Sequence, residues 1–85
     1  MEERTNAGYE IIMSIKLPDE EFVLGKKTNA TVTEYVTWRT PDGKIYYYGH
    51  YIKDERNAII DLYERAQDEI IWRLSQLNQG EQKND

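Results

Sequence analysis

The sequence predicts an α+β domain, an antiparallel meander of four strands with one long C-terminal helix packed on one face. Three observations predict it. Apolar residues alternate at period two over Tyr9 to Leu17, a Pro-Asp-Gly turn divides the later β-branched and aromatic-rich region, and from Asp54 the apolar period lengthens to about 3.6.

The first strand is expected over Gly8 to Leu17, with Tyr9, Ile11, Met13, Ile15 and Leu17 on one face. Pro18-Asp19-Glu20 supplies a turn, since proline fixes φ there and Asp is a common turn partner. Glu21 to Lys26, carrying Phe22, Val23 and Leu24, returns as a short second strand, and Lys27 to Ala30 form a loop. Thr31 to Thr40 is rich in β-branched and aromatic side chains that suit a pleated, half-buried surface. It is the third strand. Pro41-Asp42-Gly43-Lys44 predicts a type I turn with a bulge, and Ile45 to Tyr51 the fourth strand, antiparallel to the third.

Asp54 is the expected N-cap, without a capping box because Asn57 holds the N3 position. Ile59, Leu62, Tyr63, Ala66, Ile70, Leu74 and Leu77 then form one helical stripe. A helix from Asp54 to Leu77 spans about 36 Å against about 23 Å for a seven-residue strand, so it overhangs the sheet. Ile60, Ile71 and Trp72 lie off the stripe near that overhang, where an exposed Trp needs a partner. They point to a homodimer or a docking surface, unless Trp72 curls back over the sheet edge. Residues 1–7 and 78–85 are polar and aperiodic and are expected to be disordered tails flanking a single domain over 8–77.

Composition narrows the function. With 85 residues there is room for one thin core and no deep interdomain cleft, so an enzyme is not expected. Zero cysteines and a single histidine remove thiol chemistry, disulfides and His-pair metal motifs, and no cofactor is expected. The start Met1-Glu2-Glu3-Arg4 does not read as a secretory signal and no window approaches 18 apolar residues, so a cytoplasmic chain with no membrane association is expected.

The formal net charge is -5, and residues 54–85, with eight acids and four bases, hold -4 of it. Asp54, Asp61 and Asp68 repeat every seven residues with Glu64 between them, so they share one helix face. Such a row imitates a phosphate backbone offered to a basic groove. The alternative is an ordinary solvated face, with Arg65 pairing with Asp61 and Arg73 with Glu69 at i,i+4. Tyr35, Trp38, Tyr46, Tyr47, Tyr48 and Tyr51 crowd two neighbouring strands, placing aromatics on both sheet faces; one meets the helix, and the other shows tyrosines and His50 to solvent as interface anchors. Base stacking needs a positive funnel, so direct nucleic-acid binding is not expected of this acidic chain. His50, alone between Gly49 and Tyr51, reads first as a hydrogen-bonded structural residue.

Gly8-Tyr9-Glu10-Ile11, Glu21-Phe22-Val23-Leu24-Gly25, Tyr35-Val36-Thr37-Trp38 and Tyr47-Tyr48-Gly49-His50-Tyr51 resemble short uncharacterised proteins of conjugative elements in Gram-positive bacteria. That resemblance implies a mobile-element setting and no particular activity. Asp42-Gly43-Lys44, Tyr46-Tyr47, His50, Leu62-Tyr63 and Asp68-Glu69-Ile70-Ile71 are similar in order and spacing to the small uracil-DNA glycosylase inhibitors of Bacillus phages. The family consists of dimeric acidic DNA mimics that enclose a protruding leucine of the enzyme in an apolar pocket. By that resemblance Tyr63 and Ile59 take the places of a pocket tyrosine and phenylalanine. Ile60 stands where the family has a glutamate, and one residue is inserted before the helix.

The expectation is therefore a non-enzymatic inhibitor from a phage or conjugative element that occludes a host DNA-acting protein, either a uracil-DNA glycosylase or a CRISPR effector nuclease. Asp54, Asp61, Glu64 and Asp68 would supply electrostatics, Ile59, Tyr63 and Trp72 apolar anchoring, and Tyr46, Tyr48 and His50 the adjoining contact. An accessory or regulatory interaction module without inhibitory action is the alternative.

Overall fold

A computed structural model describes residues 4–29 and 31–82. Five strands, β1 (Thr5–Asn6), β2 (Tyr9–Leu17), β3 (Glu20–Asn29), β4 (Val32–Thr40) and β5 (Tyr47–Ile52), precede one helix, α1 (Glu55–Gln82). The sheet is antiparallel throughout in the order β1-β2-β3-β4-β5, a simple meander.

The four expected strands are thus five. Thr5 and Asn6 pair with Glu10 and Tyr9 across a two-residue turn in which Ala7 and Gly8 both have positive φ, 53° and 84°. That is the geometry a tight hairpin requires. Ile11 N–H donates to the Arg4 carbonyl at 2.8 Å, and the Arg4 guanidinium reaches Glu21, so this end is held down rather than frayed. Of the expected tails, residues 1–3 and 83–85 lie outside the described residues; Thr5–Asn6 is strand and α1 continues to Gln82.

β3 also exceeds its expected end, because Lys27, Thr28 and Asn29 pair with Glu34, Thr33 and Val32. β5 starts later than expected. The Asp42 carboxylate accepts the N–H groups of Lys44 and Ile45 at 2.9 and 3.0 Å, and Thr40 Oγ1 accepts that of Gly43 at 2.8 Å. These side-chain bonds replace strand pairing and lengthen the loop.

The five alternating apolar residues of β2 do not share a face. Ile11 pairs with Gly25 but Met13 pairs with Leu24, so Ile12 is the extra residue of a β-bulge. Met13, Ile15 and Leu17 pack under α1 with Phe22, Leu24, Tyr35, Ala58, Leu62 and Ala66. Tyr9 and Ile11 fall on the opposite face, where the curled sheet closes over Val23, Val36 and Trp38. Trp38 sits between Tyr9, edge-on with centroids 5.6 Å apart, and Tyr46 at 5.5 Å. Two small cores therefore share β3 and β4.

On α1 the buried row is Ala58, Leu62 and Ala66 at i, i+4 and i+8. The expected stripe is only partly used, since Leu62 and Ala66 are buried and Ile59 is half-buried, while Tyr63, Ile70, Leu74 and Leu77 stay exposed. Polar groups fix this rotation of the helix. Glu69 meets Arg39 of β4, and Arg73 donates to Asp19 and Glu20 at the β2–β3 turn at 2.7 and 2.8 Å. Asp54 caps the helix as expected, its carboxylate accepting the Asn57 N–H at 2.9 Å. At 28 residues the helix is about 42 Å long, and it runs past the sheet in a molecule measuring 61 × 26 × 20 Å. Among the described residues no helix is long and apolar enough to cross a membrane.

Candidate functional site

The β5 side of the molecule carries most of the residues singled out from the sequence, and its orientation follows from one carboxylate. Asp61 Oδ2 accepts a hydrogen bond from the Thr37 hydroxyl at 2.5 Å, and His50 Nδ1 lies 3.0 and 3.2 Å from its two oxygens. A carboxylate only accepts, so Nδ1 carries the proton. Arg65 Nη1 donates to the Thr37 carbonyl at 2.9 Å and to its hydroxyl at 3.0 Å, and burial pulls the Arg65 pKa below its ordinary value despite the charge of Asp61. The expected Arg65–Asp61 pair is thereby replaced by a network through Thr37, a side chain with no exposed surface. The expected Arg73–Glu69 pair does form, at 2.9 Å.

Asp61 thus turns its flank of α1 toward β4 and β5. Glu64, Asp68 and Trp72, at i+3, i+7 and i+11 from it, stack along the same flank. All three are exposed, and among the described residues Glu64 and Asp68 enter no ion pair. Two of the four expected electrostatic residues do not serve as free charges, because Asp54 is bound as the N-cap and Asp61 is held by Thr37 and His50.

The aromatic residues also divide. Tyr46 is not a surface anchor: its ring packs on Trp38, and its hydroxyl accepts from Arg4 at 2.9 Å and donates to the Gly43 carbonyl at 3.1 Å. His50 lies on the helix face, so the expected open face of tyrosines and His50 does not exist as such; sheet curl buries Tyr9, Val36 and Trp38 there. Ile59 packs against the helix-side core rather than presenting an anchor. Tyr48 and Trp72 are 74% and 58% exposed, so Trp72 does not fold back over the sheet, and Tyr63 is exposed on the opposite flank of α1. Tyr48 has φ of +56°, a conformation that costs a non-glycine residue about 1–2 kcal/mol.

Tyr47 was not expected in the contact. With Tyr48 it walls a shallow cleft of 300 Å³ against Glu20, Arg39 and Pro41. The Arg39–Glu20 pair at 2.6 Å forms part of that wall, and Glu20 counteracts burial to hold the Arg39 pKa above its ordinary value. The sequence signal was the Tyr46-Tyr47-Tyr48 run itself, in which Tyr46, just before β5, packs on Trp38 while Tyr47 and Tyr48 are exposed, the latter at positive φ.

Among the described residues no group of three His, Asp or Glu side chains is placed to hold a metal ion. No protein-family model, curated protein or solved structure matches the chain. The two resemblances therefore stand on the residues quoted for them.

Proposed function

We propose that the chain is a non-enzymatic interaction module that docks on a basic protein surface through its β5 side, and that occlusion of a DNA-acting protein is its effect. The observation that carries this reading is the exposure of Tyr47 and Tyr48 on β5 together with that of Glu64, Asp68 and Trp72 on the flank of α1 that Asp61 and Arg65 hold toward β4 and β5. Tyr and Trp bury large areas at low entropic cost and dominate interface energetics. Unpaired carboxylates beside them speed encounter with a cationic partner and reject an anionic one. A carboxylate row imitating DNA along its whole length has less support, since Asp54 and Asp61 are used within the fold. That favours, as a second reading, an accessory module that binds its partner without inhibiting it.

The test is to titrate the chain into uracil excision by a purified uracil-DNA glycosylase and, separately, into DNA cleavage by a CRISPR effector nuclease. Inhibition of one of them is expected. It should weaken about tenfold or more in the Glu64→Lys/Asp68→Lys variant and on raising the salt. If both enzymes are unaffected, the inhibitory reading fails. A pull-down in which Tyr48→Ala recovers the same proteins as the unaltered chain would remove the docking surface as well.

A further inference from the structure

β5 has β4 on one side and, among the described residues, no strand on the other. His50 and Ile52 point toward α1, and Tyr51 lies beside Tyr9 on the opposite face with ring centroids 6.4 Å apart. The side chains thus leave along the two faces, and the N–H and C=O groups of alternate residues are directed out of the edge. Exposed sheet edges are ordinarily blunted by shortness, charge or proline. The opposite edge is blunted in this way, since β1 has two residues. β5 has six, with no Lys, Arg, Asp, Glu or Pro among them, and its pairing with β4 is regular from His50 to Ile52.

We propose that an extended segment of the partner adds to β5 as a further strand, with basic residues on its helix-side face and apolar residues on the other. This rests on the reading of the β5 side as the docking surface and adds how the partner is held there. Two features select the segment. Glu64 and Asp68, unpaired on the flank of α1 held toward β4 and β5, are one helical turn or about 6 Å apart along the axis. Alternate residues of an extended chain share one face and stand about 6.6 Å apart, so Lys or Arg at i and i+2 matches the two carboxylates. A hollow of about 350 Å³ walled by Val32, Tyr51 and Ile52 lies at one end of the edge, and the Tyr47–Tyr48 cleft lies at the other. Five residue steps, about 17 Å, separate Tyr47 from Ile52, so a segment of about six residues reaches both. Strand addition supplies affinity through the main chain and specificity through such side-chain sites.

The probe is an acetylated, amidated heptapeptide of alternating valine and lysine, titrated into the full chain at low salt and followed by amide NMR. Saturable binding at about 1 mM or tighter is expected, with slowed hydrogen exchange at alternate β5 amides. Only alternate peptide N–H groups face β5. N-methylation at the lysines alone, or at the valines alone, should therefore give one peptide that binds at least about tenfold more weakly and one that binds as before. A valine–glutamate heptapeptide should bind at least about tenfold more weakly than the lysine peptide. Absence of binding overturns the proposal, as does equal binding of the two methylated peptides, which would mean docking through side chains alone. Full protection of the β5 amides in the free chain, with twice the monomer mass, also overturns it, because a second copy then holds the edge. The assay contains neither enzyme, so inhibition of a glycosylase or nuclease by a chain that fails to bind the peptide removes strand addition and leaves the docking surface standing.

Discussion

Glu21 is 7% exposed, and burial alone would raise its pKa, but hydrogen bonds from Arg4 and Ser14 and the charge of Arg4 hold it below the ordinary carboxylate value. A folded value below the unfolded one contributes stability that is present above the unfolded pKa, about 4.3, and lost as pH falls through the folded value. Urea unfolding should therefore show stability declining below about pH 4.5, and Glu21→Gln should flatten part of that decline. Arg4→Ala leaves the buried carboxylate without its main donor and should cost about 2 kcal/mol at pH 7. A Cβ at Gly49 would lie 2.9 Å from Trp38 Nε1, so Gly49→Ala should shift Trp38 and cost about 1–3 kcal/mol, read by urea unfolding. Tyr48→Gly acts in the other direction: it relieves the positive φ, should raise stability by about 0.5 kcal/mol, and should weaken partner capture. Which acids are free was not legible in the sequence, because Asp61 finds Thr37 and His50, 24 and 11 residues away.

The three longer strand pairings and the helix were legible as elements because their signals are local: Pro18-Asp19, Pro41-Asp42-Gly43, and the switch of period at Asp54. β1 was not, since Thr5-Asn6 has no apolar alternation and is anchored by an Arg4–Glu21 pair 17 residues apart. The helix shows how little of an apolar stripe a sheet must take up. Leu62 has no exposed surface and Leu77 is 65% exposed. Leu62→Ala should thus cost about 3 kcal/mol, whereas Leu77→Ala should change stability by less than about 0.5 kcal/mol under dilute, monomeric conditions. Chemical denaturation of both variants checks the contrast; an equal cost would mean that the far half of α1 is packed within one chain.

At the scale of the molecule, two small cores share the backbone of β3 and β4, so neither can open without disturbing the other. Unfolding should be two-state. In a Trp72→Phe variant, fluorescence then reports Trp38 in the second core and circular dichroism reports α1, and the two transitions should coincide. Separate midpoints would show that the cores are independent. The partition between the cores depends on Ile12. Excising that residue would join Ile11 directly to Met13, and consecutive residues of a regular strand already point to opposite faces, so both compartments would keep their linings and only the bulge would vanish. Pairing the full-length strand without the bulge would instead slip Tyr9 and Ile11 into the compartment beneath α1, which already holds the rings of Phe22 and Tyr35, and strip the wall beside Trp38. Along this strand the fold accepts loss of the odd residue more readily than its accommodation in register.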